Sequence, residues 1–128
     1  MFQGSHMKRD LELVVQILEL LEKRQEISII QTLHVPNYDD NVVAYHLRRM
    51  FEAGLLDAES VVSTTTPERI ISVYPFGLSW EGHEFLDCIR SKSVMAKVKS
   101  RLGGAIIDVP FSVVKSLALN YAKEKFGL

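Results

Sequence analysis

Apolar residues along this chain recur at helical and strand periods in alternation. Leu11, Val14, Val15, Leu18 and Leu21 repeat at spacings of three and four behind Asp10, which predicts a capped helix from about Asp10 to Arg24. Lys23 and Arg24 then fall in its last turn, where the helix dipole favours cations. Ile27, Ile29 and Leu33 alternate with polar residues, with Ile30 as an extra, and predict a short strand. Pro36 and Asn37 mark a loop. From Asp39 to Leu56 the chain reads DDNVVAYHLRRMFEAGLL. Val43, Leu47, Met50 and Phe51 share one helical face, with Val42 beside them, while Asn41, Tyr45, Arg48, Arg49 and Glu52 fall mostly elsewhere. Asp39 or Asp40 caps this helix, and Gly54 stands where a left-handed residue would end it.

The second half continues with two strands and three helices. Leu55 to Ser63 is apolar and β-branched, Ser63 to Arg69 is a polar tip carrying Pro67, and Ile70 to Leu78 returns as a strand with Pro75 at a bulge or edge. Ser79 opens a helix whose buried stripe is Phe85, Leu86 and Ile89, with Glu81 in its first turn. Ser93 caps a further helix in which Val94, Val98 and Leu102 recur, and Gly103 and Gly104 stop it. Pro110 suits the first turn of a last helix with Phe111, Val114, Leu117, Ala118 and Tyr121 on one face. The fold class expected is α+β, mostly helical: a winged helix-turn-helix with a β-hairpin wing and additional C-terminal helices. Residues 1–6 read as an expression-tag remnant, with the native start at Met7. Residues 7–90 form the winged-helix domain, and 91–128 a helical extension packed on it.

The formal net charge of −1 hides an asymmetry. From Asp39 to Asp87 there are three bases (Arg48, Arg49, Arg69) against nine acids, and from Arg90 onward eight bases against two acids, Asp108 and Glu124. Such polarity points to a partner or self-association surface, or to two faces that neutralise each other within one fold. No apolar run approaches the roughly 20 residues that span a bilayer. The lone cysteine, Cys88, has no internal partner for a disulfide and reads as a buried small hydrophobe. Together these predict a cytoplasmic protein without membrane contact.

Candidate chemistry is sparse. His34, His46 and His83 are scattered and lack structural-zinc spacing, so no metal or cofactor is expected. His83 and Asp87, at i and i+4, read as a surface hydrogen bond. There is no G-x-S-x-G, no glycine-rich phosphate loop and no H-E-x-x-H, and Glu81, Glu84 and Asp87 look like a solvated acidic face. The chain reads as a non-enzyme. Nucleic-acid contact is the one chemistry with a set of candidates. Arg48 and Arg49 carry forks that match guanine N7 and O6, Asn41 suits adenine, and Tyr45 suits phosphate, sugar or a thymine methyl. His46 is either a base contact or a partly buried helix residue. Thr64, Thr65, Thr66 and Arg69 on the hairpin tip suit phosphates, as do Lys8, Arg9, Lys97, Lys99 and Arg101. Alternatively these are ordinary exposed residues, with one arginine paired to Glu52. The acidity of Asp39 to Asp87 opposes DNA, because phosphate neutralisation supplies most non-specific affinity.

The string Leu78-Ser79-Trp80-Glu81-Gly82-His83-Glu84-Phe85-Leu86-Asp87 resembles the segment after the wing in small bacterial winged-helix regulators. Together with Met7-Lys8-Arg9-Asp10, Tyr45-His46-Leu47, Ala53-Gly54-Leu55, Val109-Pro110-Phe111 and Gly127-Leu128, it is similar to an uncharacterised family of small proteins from bacteria, prophages and mobile elements. One departure from a standard winged helix is the strand-like stretch from Ile27 to Leu33, where a second helix would stand. The expectation is a DNA-binding regulator or accessory factor of a phage or mobile element, recognising double-stranded DNA. The last helix would either pair with its copy in a homodimer or pack on its own core. The alternative is a protein-interaction module, an adaptor or inhibitor whose acidic face meets a basic partner.

Overall fold

The protein is described by a computed structural model covering residues 9–103 and 109–127. Residues 1–6, Met7, Lys8, Gly104, Asp108 and Leu128 lie outside the described residues. The described chain is α+β and mostly helical. Its elements run α1 (Leu11–Glu22), α2 (Asp40–Glu52), β1 (Leu56–Val62), β2 (Ile70–Leu78), α3 (Trp80–Ile89), α4 (Lys92–Leu102) and α5 (Phe111–Lys125).

Each element follows from its local chemistry. The Asp10 carboxylate accepts from the N–H groups of Glu12 and Leu13 and starts α1, which buries Leu11, Leu13, Val14, Ile17, Leu18 and Leu21. α1 stops at Glu22 with Lys23 as its cap, so Lys23 and Arg24 lie beyond the last turn where they were expected. α2 begins behind Asp39, whose side chain makes no capping bond, and ends at Ala53 with Gly54 at φ 80°. β1 and β2 form an antiparallel hairpin in which Asp57 faces Gly77 while Ala58 faces Pro75. Phe76 is therefore the extra residue of a bulge beside Pro75, and a second irregularity follows at Val61–Val62.

Three further expectations change. Ile27 to Leu33 is irregular rather than a strand: one backbone bond, from Ile30 N–H to the Pro75 carbonyl at 2.8 Å, ties it to β2. Pro75 has no N–H to return, so a ladder cannot propagate there. The cap of α4 is Ser91, not Ser93; the Ser91 hydroxyl accepts from Val94 N–H, and Ser93 bonds sideways to Ser91. Cys88 is half-buried at the edge of the core rather than fully within it, and burial pushes its thiol pKa up.

One core joins all five helices. Phe85, Leu86 and Ile89 of α3 meet α1 on one side and α5 on the other. Each such fully buried side chain contributes about 1.5–3 kcal/mol. α5 buries Val114, Ala118 and Ala122 in this core, so the apolar face expected to serve either a dimer or its own core packs within the chain.

Candidate nucleic-acid interface

Two junctions hold α2, the helix that carries most of the candidate residues. At its middle, Asp10 N–H donates to His46 Nε2 at 2.8 Å, and Tyr38 OH, just before the helix, donates to the second Asp10 oxygen at 3.1 Å. An acceptor at Nε2 leaves the imidazole proton on Nδ1, which then donates to the Val42 carbonyl at 2.8 Å. Burial lowers the His46 pKa, outweighing the raising effect of the Val42 bond. Burial also raises the Tyr38 pKa, helped by its bond to Asp10.

At the C-terminal end of α2, backbone meets backbone. Ser79 Oγ donates to the Gly54 carbonyl at 2.5 Å and accepts from Gly82 N–H at 3.0 Å, while Ser79 N–H donates to the Leu55 carbonyl at 3.1 Å. A Cβ on Gly82 would stand 2.0 Å from the Leu55 carbonyl oxygen, so only glycine fits. The Ala53-Gly54-Leu55 and Ser79-Trp80-Glu81-Gly82 strings are thus two halves of one contact.

Away from these junctions α2 turns Asn41, Ala44, Arg49 and Glu52 toward solvent, with Tyr45 and Arg48 half-buried beside them. The guanidinium carbons of Arg48 and Arg49 lie 5.7 and 5.3 Å from the Tyr45 ring centre. Arg49 also pairs with Glu52 at 2.9 Å, and its pKa is raised first by Tyr45 and then by Glu52. Asn41, Tyr45 and Arg48 line one wall of a cleft of about 590 Å³ whose other wall is Ile71 to Tyr74 of β2. Gln31 to Leu33 close its third side. The hairpin tip is organised by the buried Ser63, whose hydroxyl oxygen accepts from the N–H groups of Thr65 and Thr66. Thr64, Thr65, Thr66 and Arg69 are exposed around it.

His46 does not belong to the solvent face. It is 2% exposed and both ring nitrogens are engaged, so it has no free edge to offer a base. Its position was legible, because residues 43, 46, 47 and 50 are spaced three, one and three apart, the stripe that every amphipathic helix buries. Asp10, Tyr38 and Ser79 were the residues that sequence reasoning missed as a network, since helix-capping signals say nothing about long-range partners.

The basic C-terminal third is partly consumed within the chain. Arg90 pairs with Glu22 at 2.6 Å, Lys99 with Glu12, and Lys115 with Glu81 at 2.8 Å. α2 packs against α1 and both strands, whereas α4 packs against α3 and α5. Lys99 reaches the first turn of α1, next to the Asp10–His46 junction. Lys97 lies 5.7 Å from the Tyr121 ring centre, and Arg101 is exposed on the same helix. Arg9 donates to the Val109 carbonyl at 2.6 Å. Lys8, the remaining candidate, lies outside the described residues. His83 and Asp87 are both exposed, and Asp87 lies 3.8 Å from Arg90. Among the described residues no group of three or more His, Cys, Asp or Glu side chains gathers to hold a metal. No described helix is long and apolar enough to cross a membrane.

Comparison with known proteins gives a consistent result. Residues 8–104 match the family model described as "Hypothetical protein (DUF2513)". An uncharacterized protein of Haemophilus influenzae is 30% identical over 114 residues, covering 88% of this chain and 92% of that protein. No solved structure matches.

Proposed function

The chain belongs to the DUF2513 family, and we propose that it is a non-enzymatic winged-helix protein that binds double-stranded DNA. In this reading α2 is the recognition helix and β1–β2 the wing. The observation that carries it is the solvent face of α2: Asn41, Tyr45 and Arg48 open on a cleft bounded by the hairpin, with Arg49 beside them. Arginine forks next to an aromatic ring on the solvent side of a helix are the parts that major-groove readout needs. Thr64, Thr65, Thr66 and Arg69 then meet the backbone. The acidic residues nearby keep non-specific affinity low, so recognition rests on a few arginines. A role as regulator or accessory factor of a phage or mobile element extends the same reading. A homodimer through α5 would use residues outside the Val114–Ala118–Ala122 face, which is already buried, such as the exposed Val113.

A fluorescence-polarisation titration with random-sequence duplex at low salt tests this reading. Binding that weakens steeply with salt, and that falls about tenfold or more in the Arg48→Ala, Arg49→Ala double variant, is expected. No binding at tens of micromolar protein in low salt would overturn it. A second reading, a protein-interaction module, is favoured by Trp80, which is 77% exposed at the head of α3 beside the acids Glu81 and Glu84. A pull-down with and without Trp80→Ala separates the two.

A further inference from the structure

We propose that the seam between α3 and the end of α5 is a self-association face, occupied by a second copy of this chain across a two-fold axis. The two helices run side by side. Lys115 meets Glu81 near their starts, and Cys88 and Ala122 share a cleft of about 380 Å³ near their ends. Val94 and Ala122 close the floor of that cleft and are already buried. The apolar surface left to cover lies above them. Phe126, just past α5 and 72% exposed, stands at the cleft, with Cys88 and Leu119 half-buried beside it. Trp80, 77% exposed, extends the outer face of α3 one turn before Glu84. Exposed rings rimmed by charges mark an interaction surface.

Charge selects the occupant. The α3 side is acidic, with Glu84 and Asp87 exposed, and the α5 side is basic, with Lys123 and Lys125 exposed. Neither set is used up within the chain. Among the described residues Glu84 and Lys123 make no ion pair. Asp87 stands 3.8 Å from an Arg90 that Glu22 already holds at 2.6 Å. Lys125 donates to the neutral Ser91 hydroxyl at 2.9 Å. Glu124, one residue past Lys123, falls about 100° further round the helix, away from α3.

A partner of one sign would satisfy one side of the seam and oppose the other. A second copy satisfies both. With the two-fold axis along the seam, α3 of each copy lies over α5 of the other, so acid meets base twice. Each Phe126 ring then meets the Cys88 end of the facing α3. This face deepens the dimer part of the reading above and rests on that part alone.

Sedimentation equilibrium of the full chain without nucleic acid, from about 1 to 500 µM at low salt, tests the face. A monomer–dimer equilibrium that weakens with salt is expected. Phe126→Asp should raise the dissociation constant at least about tenfold. Glu84→Lys and Lys123→Glu should each raise it about fivefold or more, and the two together in one chain should bring it back to within about twofold of wild type. Lys97→Glu, an equal charge change on α4, should leave it unchanged. These side chains are exposed, so each variant keeps the fold. A single monomeric species at the highest concentration would overturn the proposal, as would a dimer indifferent to Phe126→Asp or a double reversal that weakens association further. Duplex binding is read in a separate titration, so either reading can fail without the other.

Discussion

α2 is held at its middle and at its exit by different materials. The junction at its middle turns on a side chain: the His46 imidazole accepts from the Asp10 N–H and donates to the Val42 carbonyl, while the Tyr38 phenol holds the Asp10 carboxylate. The junction at its end is built from backbone and two small residues, with the Gly82 backbone pressed onto the Leu55 carbonyl and Ser79 bridging them. The first can be tuned by protonation and by single-atom changes. The second is a steric fit that pH does not reach. The solvent face of α2 inherits both properties: a fixed exit and an adjustable middle.

The largest test of that contrast is Gly82→Ala. With 2.0 Å available between the new Cβ and the Leu55 oxygen, the two strings must separate, and a loss of at least about 3 kcal/mol in chemical denaturation is expected. A loss under about 1 kcal/mol would mean that the junction is soft.

His46→Leu follows. It strands the Asp10 N–H and should cost about 2 kcal/mol at neutral pH. The wild type should carry a pH dependence that the variant lacks. The folded pKa of His46 is lowered, so its contribution is complete above the unfolded value of about 6.5 and is lost as pH falls through the folded value. Within that window the excess slope of wild type over variant is at most about 1.4 kcal/mol per pH unit. Parallel stability curves for the two proteins across the window would refute a neutral buried imidazole. Gly82→Ala, by contrast, should keep the wild-type slope.

Ser79→Ala removes a cap and one bridge while leaving the glycine contact intact. A loss of about 1 kcal/mol is expected, independent of pH. The smallest effect on stability belongs to the surface itself. Arg48→Ala should change stability by within about 0.5 kcal/mol in chemical denaturation, since Arg48 is half-buried beside Tyr45 at the edge of the cleft rather than in the core. A larger loss would place Arg48 among the structural residues.

Much of this arrangement was legible before the structure. The periods of Leu11 to Leu21 and Val43 to Met50, the polar tip after Val62 and the turn glycine at 54 each announce their element, because amphipathic spacing and φ > 0 positions are local properties. Ile27 to Leu33 misled because alternation marks a strand only when a partner supplies both donors and acceptors, and Pro75 supplies one acceptor. Ile27 is consequently 87% exposed. Choosing Ser93 over Ser91 failed for a smaller reason, since two serines two residues apart compete for one cap. For the site, the solvent face of α2 followed from its helical wheel. Its relation to the basic residues did not, because Lys99, Lys115 and Arg90 choose partners 34 to 87 residues away.

Pro75 also governs what the hairpin refuses. A two-stranded ribbon leaves two open edges, and open edges invite further strands from other chains. On the outer side of β2, Pro75 presents a carbonyl already taken by Ile30 and no N–H, so an arriving strand finds a break in the template. On the outer side of β1, the exposed acids Asp57 and Glu59 set like charges against a second copy. Both edges of the ribbon are thus poor templates for a further strand.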